Sequence, residues 1–489
     1  MKQHHTLWRK TLVLGVALAV TGCGGGGGGG GSDPVVNPPP PSGGIDRGGV
    51  AVGPIDGFGS VIVNGVRFDT REAQFTVNGV PGAQDDLAVG QVVVIKGTID
   101  DDRLTGTAET VSYDDAVKGP VDAGSLDLVN QSFRVLGQPI RVTTGTAFDD
   151  SIQPGSLDAL AEGDVVEISG LPDADGFVRA TRIERSSAAL FELKGFIRNL
   201  DTGAFTFDIG TQSVDYSSAQ LDDFPAGGPA NDDFVEAKGS VFSIEGALVA
   251  TRVQRQNDLT GDDLGEDGDD AEIEGYVNGF RSSSDFDVVG IRIRTTASTQ
   301  FERGTQADIR VNVRLEAEGE LQADGSVVAD KIQFHPEGRL EAFAPVEAVS
   351  VAAGTFTVLG IPVLTDAGTS FEDKLLDLQV FGLADLRVGD WVEVRGLEDD
   401  QGRFLAQLVT RDDEEDEVEL RGTAENVRAP GFSILGVAVT THGGTEFENV
   451  TEAPITAQQF FDAAEGRLVE VDGTWDGAVL TADQASLED

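Results

Sequence analysis

Only one cysteine, Cys23, occurs in 489 residues, so no internal disulfide can form. Histidine is nearly as scarce. Of four, His4 and His5 sit at the extreme N-terminus, and His335 and His442 have no Cys or His at ligand spacing. That excludes a zinc site of the usual kind. Basic charge is short as well: 35 Lys and Arg stand against 84 Asp and Glu, for a net charge of −49. Such a field repels phosphate backbones, which argues against a nucleic-acid partner, and it attracts cations. There is no nucleophile elbow, phosphate loop or His-Glu metal motif. Carboxylate pairs are too frequent to single out an acid and a base. These absences lead to the expectation of a chain that is not an enzyme and holds no cofactor.

Glycine is abundant, at 63 residues, while aromatics make up 7%. Gly-rich turns between short apolar runs point to an all-β chain. The length is too great for one core and sufficient for several small ones.

The first 22 residues read as a signal peptide. "MKQHHTLWRK" is basic, and the apolar run "TLVLGVALAV" is too short to span a bilayer comfortably. The run ends Val20-Thr21-Gly22-Cys23, which resembles the bacterial lipoprotein lipobox. Val20 stands where Leu is commoner. The resemblance implies that Cys23 is diacylated through sulfur and becomes the new N-terminus, so the chain meets the membrane through an N-terminal lipid. An ordinary signal peptide with an incidental Cys is the alternative. Gly24 follows, where lipoproteins kept at the inner membrane often carry Asp, so the resemblance favours the outer membrane. Residues 23–49 then read as the lipidated Cys and a Gly/Pro-rich tether, with a reach of at most about 90 Å at roughly 3.3 Å per residue.

From residue 50 one unit recurs six times. "VVVIKG", "VVEISG", "FVEAKG", "RLEAEG", "WVEVRG" and "LVEVDG" are alternating strands closed by Gly97, Gly170, Gly239, Gly319, Gly396 and Gly473. Upstream, "VIVNG", "FRVLG", "TFDIG", "FDVVG", "FTVLG" and "FSILG" each end in a glycine and run into another strand, the mark of a hairpin. Downstream lies a line such as "VRATRIER", and an opening strand such as "ELKGFI" completes five strands in each unit. Short helices are expected between strands three and four at "SLDALAEG", "KLLDLQVFGLADLRVG" and "TAQQFFDAAEG". The organisation is repeat 1 at 50–115, repeat 2 at 116–186, repeat 3 at 187–258, an acidic linker at 259–271, repeat 4 at 272–336, repeat 5 at 337–414 and repeat 6 at 415–489. The strand order suggests a tandem row of six small five-stranded OB-like β-barrels, whose closure would hide strand edges. An SH3-like barrel or an open five-stranded sandwich is the alternative.

The "GDxVEVxG", "ATRIE" and "FxVxG" lines resemble the bacterial DUF5666 family, over residues from about 50 to 489. Copies one and six depart from "ATRIE" at "TAETVSY" and "LTADQAS". The family name implies no activity.

Few residues suggest chemistry. Phe133, Phe286, Phe356 and Phe432 recur at one hairpin position, where a core role outweighs base stacking. Arg182 and Arg252 are expected to pair with the Glu of "VEI" and "VEA" on a neighbouring strand. In "NDLTGDDLGEDGDDAEIE", Asp263, Asp267 and Glu274 match acidic positions of a calcium loop, but Gly265 misses one position and no helices flank it. Weak calcium binding that stiffens a joint is one reading, and a solvated acidic linker is the other. The functional expectation is a non-catalytic outer-membrane lipoprotein, facing the cell surface or the periplasm. Its array would act as a structural or adhesive element with a protein or glycan partner. The alternative is an oligosaccharide- or ligand-binding envelope module.

Overall fold

The computed structural model describes residues 48–488, apart from 59, 154, 188–189, 257–263, 337, 367, 377, 400 and 451–452. The signal peptide, Cys23 and the tether lie outside the described residues. From Asp46 onward the chain forms one unit. It is all-β, with a single α-helix among the described residues.

Repeat 4 shows the common plan. Its strands are Asp270–Ser282, Asp285–Val288, Ile291–Glu302, Arg314–Leu321 and Val327–Phe334. The first pairs with the second, the second with the third, and both pairs are antiparallel. The third pairs with the fifth in parallel. The fifth pairs with the fourth, and the fourth returns to the first. The hydrogen-bonded order 1-2-3-5-4 therefore closes on strand 1. The same ring of pairings recurs in repeat 1, repeat 3, repeat 5 and repeat 6. In repeat 2 the step between strands 1 and 2 is a single bridge, Val121 to Val135.

Both families of glycine have a backbone reason. In the hairpins of every repeat but the third, the residue before the glycine and the glycine itself take positive φ, as at Leu359 (50°) and Gly360 (72°). Two consecutive left-handed residues make the tight turn that matches strand twist. The second family sits in strand four opposite a β-bulge in strand five of every repeat, at the register step between Lys96 and Gly97, Ser169 and Gly170, Lys238 and Gly239, Glu318 and Gly319, Arg395 and Gly396, and Asp472 and Gly473. A Cβ on Gly396 would lie 2.1 Å from the Leu405 carbonyl oxygen of strand five, and one on Gly473 2.0 Å from that of Thr481. The bulge bends the strand so closely onto its neighbour that no side chain fits.

The alternating faces deliver the cores. Phe133, Phe286, Phe356 and Phe432 are all buried, so the recurrent phenylalanine is a packing residue. The expected helices form in only one of three places. Ala457–Ala463 is α-helical, capped by the Thr456 hydroxyl accepting from the Gln459 amide, and it buries Phe460. "SLDALAEG" holds only a 3-10 turn, Leu157–Ala159, and the described residues of 374–389 form turns, bends and irregular backbone. With Leu157 and Leu160 as its buried anchors, the former loop is too short to pay back helix nucleation.

The repeats do not follow one another as a simple row. Repeats 2 and 3 share a 12-stranded sheet through their antiparallel first strands, and repeats 5 and 6 share an 11-stranded sheet in the same way. Repeat 1 skips its neighbours in sequence and joins repeat 4: its strand Gly49–Gly57 runs parallel to Asp270–Ser282, with Val50 opposite Ala271 and Val52 opposite Ile273. This forms a second 12-stranded sheet. The first strand is the joint each time because strand two covers only its later part, so its start, paired with strand four on one edge, can accept a second neighbour on the other.

The bulge geometry gives a direct expectation. Gly396→Ala should destabilise the folded body by about 1–3 kcal/mol, the usual cost of overpacking. Gly443→Ala, where a Cβ meets nothing within 4 Å, should stay within about 0.5 kcal/mol of the parent. Urea unfolding followed by intrinsic fluorescence compares the two, and equal effects would contradict the packing argument.

Candidate functional site

Four repeats converge on one cavity of about 310 Å³. Its lining includes Asp56 from repeat 1, Thr181 from repeat 2, His335 from repeat 4 and Ser370 from repeat 5. Hydrogen bonds link the repeats around it. Arg182 of repeat 2 reaches Glu372 of repeat 5 at 2.8 Å and the Val89 carbonyl of repeat 1 at 3.1 Å. Arg395 of repeat 5 donates to the carbonyls of Thr146 and Gly155 in repeat 2, at 2.9 and 3.0 Å. Arg103 of repeat 1 meets Asp270 and Glu272 of repeat 4, each at 2.9 Å. The Ser370 hydroxyl donates to Asp56 at 3.3 Å.

Repeat 4 supplies most of the charge. Its first strand carries Glu272 and Glu274 and its fourth carries Glu316 and Glu318, with Glu272 opposite Glu318 and Glu274 opposite Glu316. Alternation places all four on one face. Arg314 donates to Glu274 at 2.8 Å. His335, just past the fifth strand, has Nδ1 at 3.8 Å from Glu274 and Nε2 at 3.4 Å from Glu316.

The protonation pattern follows from burial and neighbours. Burial, with Glu274 close by, pushes Asp56 up to about 7. Burial and the adjacent Glu316 push Glu272 up to about 8. Burial alone would raise Glu274, but Arg314 and His335 outweigh it and hold it below the usual carboxylate value. Burial alone would lower His335, but Glu274 and Glu316 outweigh it and hold it above the ordinary histidine value.

The sequence-predicted residues fall elsewhere or take other roles. Cys23 and Asp263 lie outside the described residues. Asp267 accepts from the Ala323 amide at 2.8 Å. Glu274 lies in the strand Asp270–Ser282 and faces Arg314 and His335, so it is a buried ion-pair residue and not the last ligand of a flexible loop. From Leu264 onward the acidic segment is ordered. Leu264 is buried, and the Gly268 amide donates to the Leu321 carbonyl. Arg182 and Arg252 pair differently from expectation, with Glu184 and Glu372, and with Asp222, respectively. Glu167 is taken by Lys118, and Glu236 by Lys194 and Lys238. Sequence reasoning missed Asp56, Arg314, Glu316 and His335. The one local signal was the paired "EIE" and "LEAE" of repeat 4, two alternating acidic strands in one unit.

A cavity walled by four copies of a five-stranded unit defines a class: an all-β protein of repeats that share sheets. The model for "Domain of unknown function (DUF5666)" matches residues 118–184, 274–333, 344–410 and 421–484, over half of the chain, and the protein belongs to that family. Repeats 1 and 3 share the strand order without being matched. No curated protein matches the chain.

The raised groups fix the sign of a pH effect. A carboxyl with a folded-state pKa above its unfolded value stabilises below the unfolded value and loses that contribution as pH rises through the folded one. His335 acts in the same direction, and Glu274 in the opposite one. The melting temperature should therefore fall between pH 6 and pH 8.5, as Asp56, Glu272 and His335 lose protons. Asp56→Asn should flatten that fall in a calorimetric pH series, and an unchanged slope would contradict the assignment.

Proposed function

We propose that this chain is a non-catalytic lipoprotein of the outer membrane, and that its repeats are OB-like barrels serving as a structural or adhesive binding body. The observation that carries this reading is the state of the buried cavity. Both ring nitrogens of His335 face carboxylates, and the Ser370 hydroxyl donates to Asp56 and not to an imidazole. Among the described residues, its histidine is engaged within repeat 4 and its serine joins repeat 5 to repeat 1, so neither is paired as a nucleophile and base. The ring order 1-2-3-5-4-1 with a parallel third and fifth strand supports the OB-like reading. Contact surface is available away from the junction, where repeat 3 exposes Phe196, Phe205, Val241, Phe242 and Ile244.

The glycan-binding alternative gains little from the tryptophans. Trp475 donates to Glu347 at 2.7 Å across the joint of repeats 5 and 6, and Trp391 packs on Phe343.

Two experiments on cells test the reading. Cys23→Ser should release the protein from the membrane fraction and abolish incorporation of labelled fatty acid. Protease added to intact cells should digest the body, as an adhesive role requires. Protection until permeabilisation would remove adhesion and leave a periplasmic structural role.

A further inference from the structure

We propose that Glu272, Glu316 and Glu318 form a binding site for a calcium-sized hard divalent cation on the junction-facing side of repeat 4. Each offers a carboxylate oxygen, and these oxygens lie within 4.8 Å of one another. Oxygens bound to one calcium at 2.3–2.6 Å can be at most about 5 Å apart, so the spread fits a shared ion.

The second observation is an orphan. Glu272 is 1% exposed, and its Oε2 has no hydrogen-bond partner. A buried carboxylate oxygen without a partner is costly, and native structures rarely tolerate one without a reason. The cations nearby do not meet the need. Arg103 holds Oε1 of Glu272, Lys331 holds Oε1 of Glu318, and His335 faces Oε2 of Glu316. Oε2 of Glu272 is left without any of them. The placement is also adverse without an ion, because Glu272 stands directly opposite Glu318, and like charges in that position destabilise a sheet. Glu316 and Glu318 line the cavity, which gives access and room for water to complete a shell of six to eight oxygens. A hard divalent ion suits this set because every donor is oxygen, with no thiolate or free imidazole. The site does not use Asp267, and it ties repeat 4 to Arg103 of repeat 1.

The test uses the full chain, stripped with EDTA and titrated with calcium chloride at pH 8. Calorimetry should show one saturable site among the diffuse weak sites of an acidic surface, and saturation should raise the melting temperature by several degrees. Glu272→Gln and Glu318→Gln should each weaken that site at least tenfold, while Asp267→Asn leaves it intact. Glu318→Gln guards against a folding defect, since it lies at the cavity wall, and each variant's melting without metal is measured alongside. A purely structural role predicts that Glu272→Gln melts higher without metal and leaves the calcium response unchanged. That response, or no saturable binding at millimolar calcium, would overturn the proposal.

Discussion

Buried arginine is the constraint on which the arrangement rests. A guanidinium cannot shed its charge, so once removed from water it must be met by carboxylates and carbonyls. Arg182 and Arg395 are almost wholly buried, and although Arg395 meets both Glu341 and Glu393 in its own repeat, each arginine also takes partners from other repeats. Arg182 takes Glu184 locally and then Glu372 and the Val89 carbonyl from two other repeats. Arg395 takes Glu341 within its own repeat and two carbonyls of repeat 2. Separating the repeats would strand both charges. The repeats are therefore parts of one body, and not independent beads on a flexible chain.

The shared sheets work with these arginines. A closed ring of five strands buries its own apolar face and leaves little edge to offer. The first strand alone keeps a free stretch, and each repeat uses it to join one partner. Sheet pairing brings together the starts of two repeats, and the arginines bind the resulting pairs to one another. The bulge in strand five is compatible with both demands, because it curves the ring closed against a strand-four glycine that has no side chain to block it. This also accounts for part of the acidic composition. Although most carboxylates lie on the surface, Asp56, Glu272, Glu274 and Glu316 are folded inward, where each changes its protonation or acquires a cation.

Local rules made the units legible. Alternation gave the strands, the hairpin glycines gave the turns, and the repeated Phe marked the core. The six glycines ending the "VEV"-like lines were visible as a pattern, although their reason, the contact with a carbonyl of the next strand, needs three dimensions. The partner of each repeat was not legible. Nothing near Gly49–Gly57 says that it will pair with a strand more than 200 residues away. The cavity was hidden for the same reason: Asp56 and His335 acquire their roles only when repeats 1 and 4 meet. Glu274 was noticed, but by its spacing in a loop motif, whereas its strand position decides its chemistry. Helix pattern misled at "SLDALAEG", where a short loop anchored by two leucines needs only one turn.

The central claim is that charge contacts between repeats make one body. Hydrogen exchange read by mass spectrometry on an Arg182→Met chain addresses it most directly. The account predicts faster exchange in repeat 1 around Val89–Ile99 and in repeat 5 around Ser370–Asp373, as well as in repeat 2. An increase confined to residues 116–186 would contradict it and would restore the picture of repeats that fold and move alone.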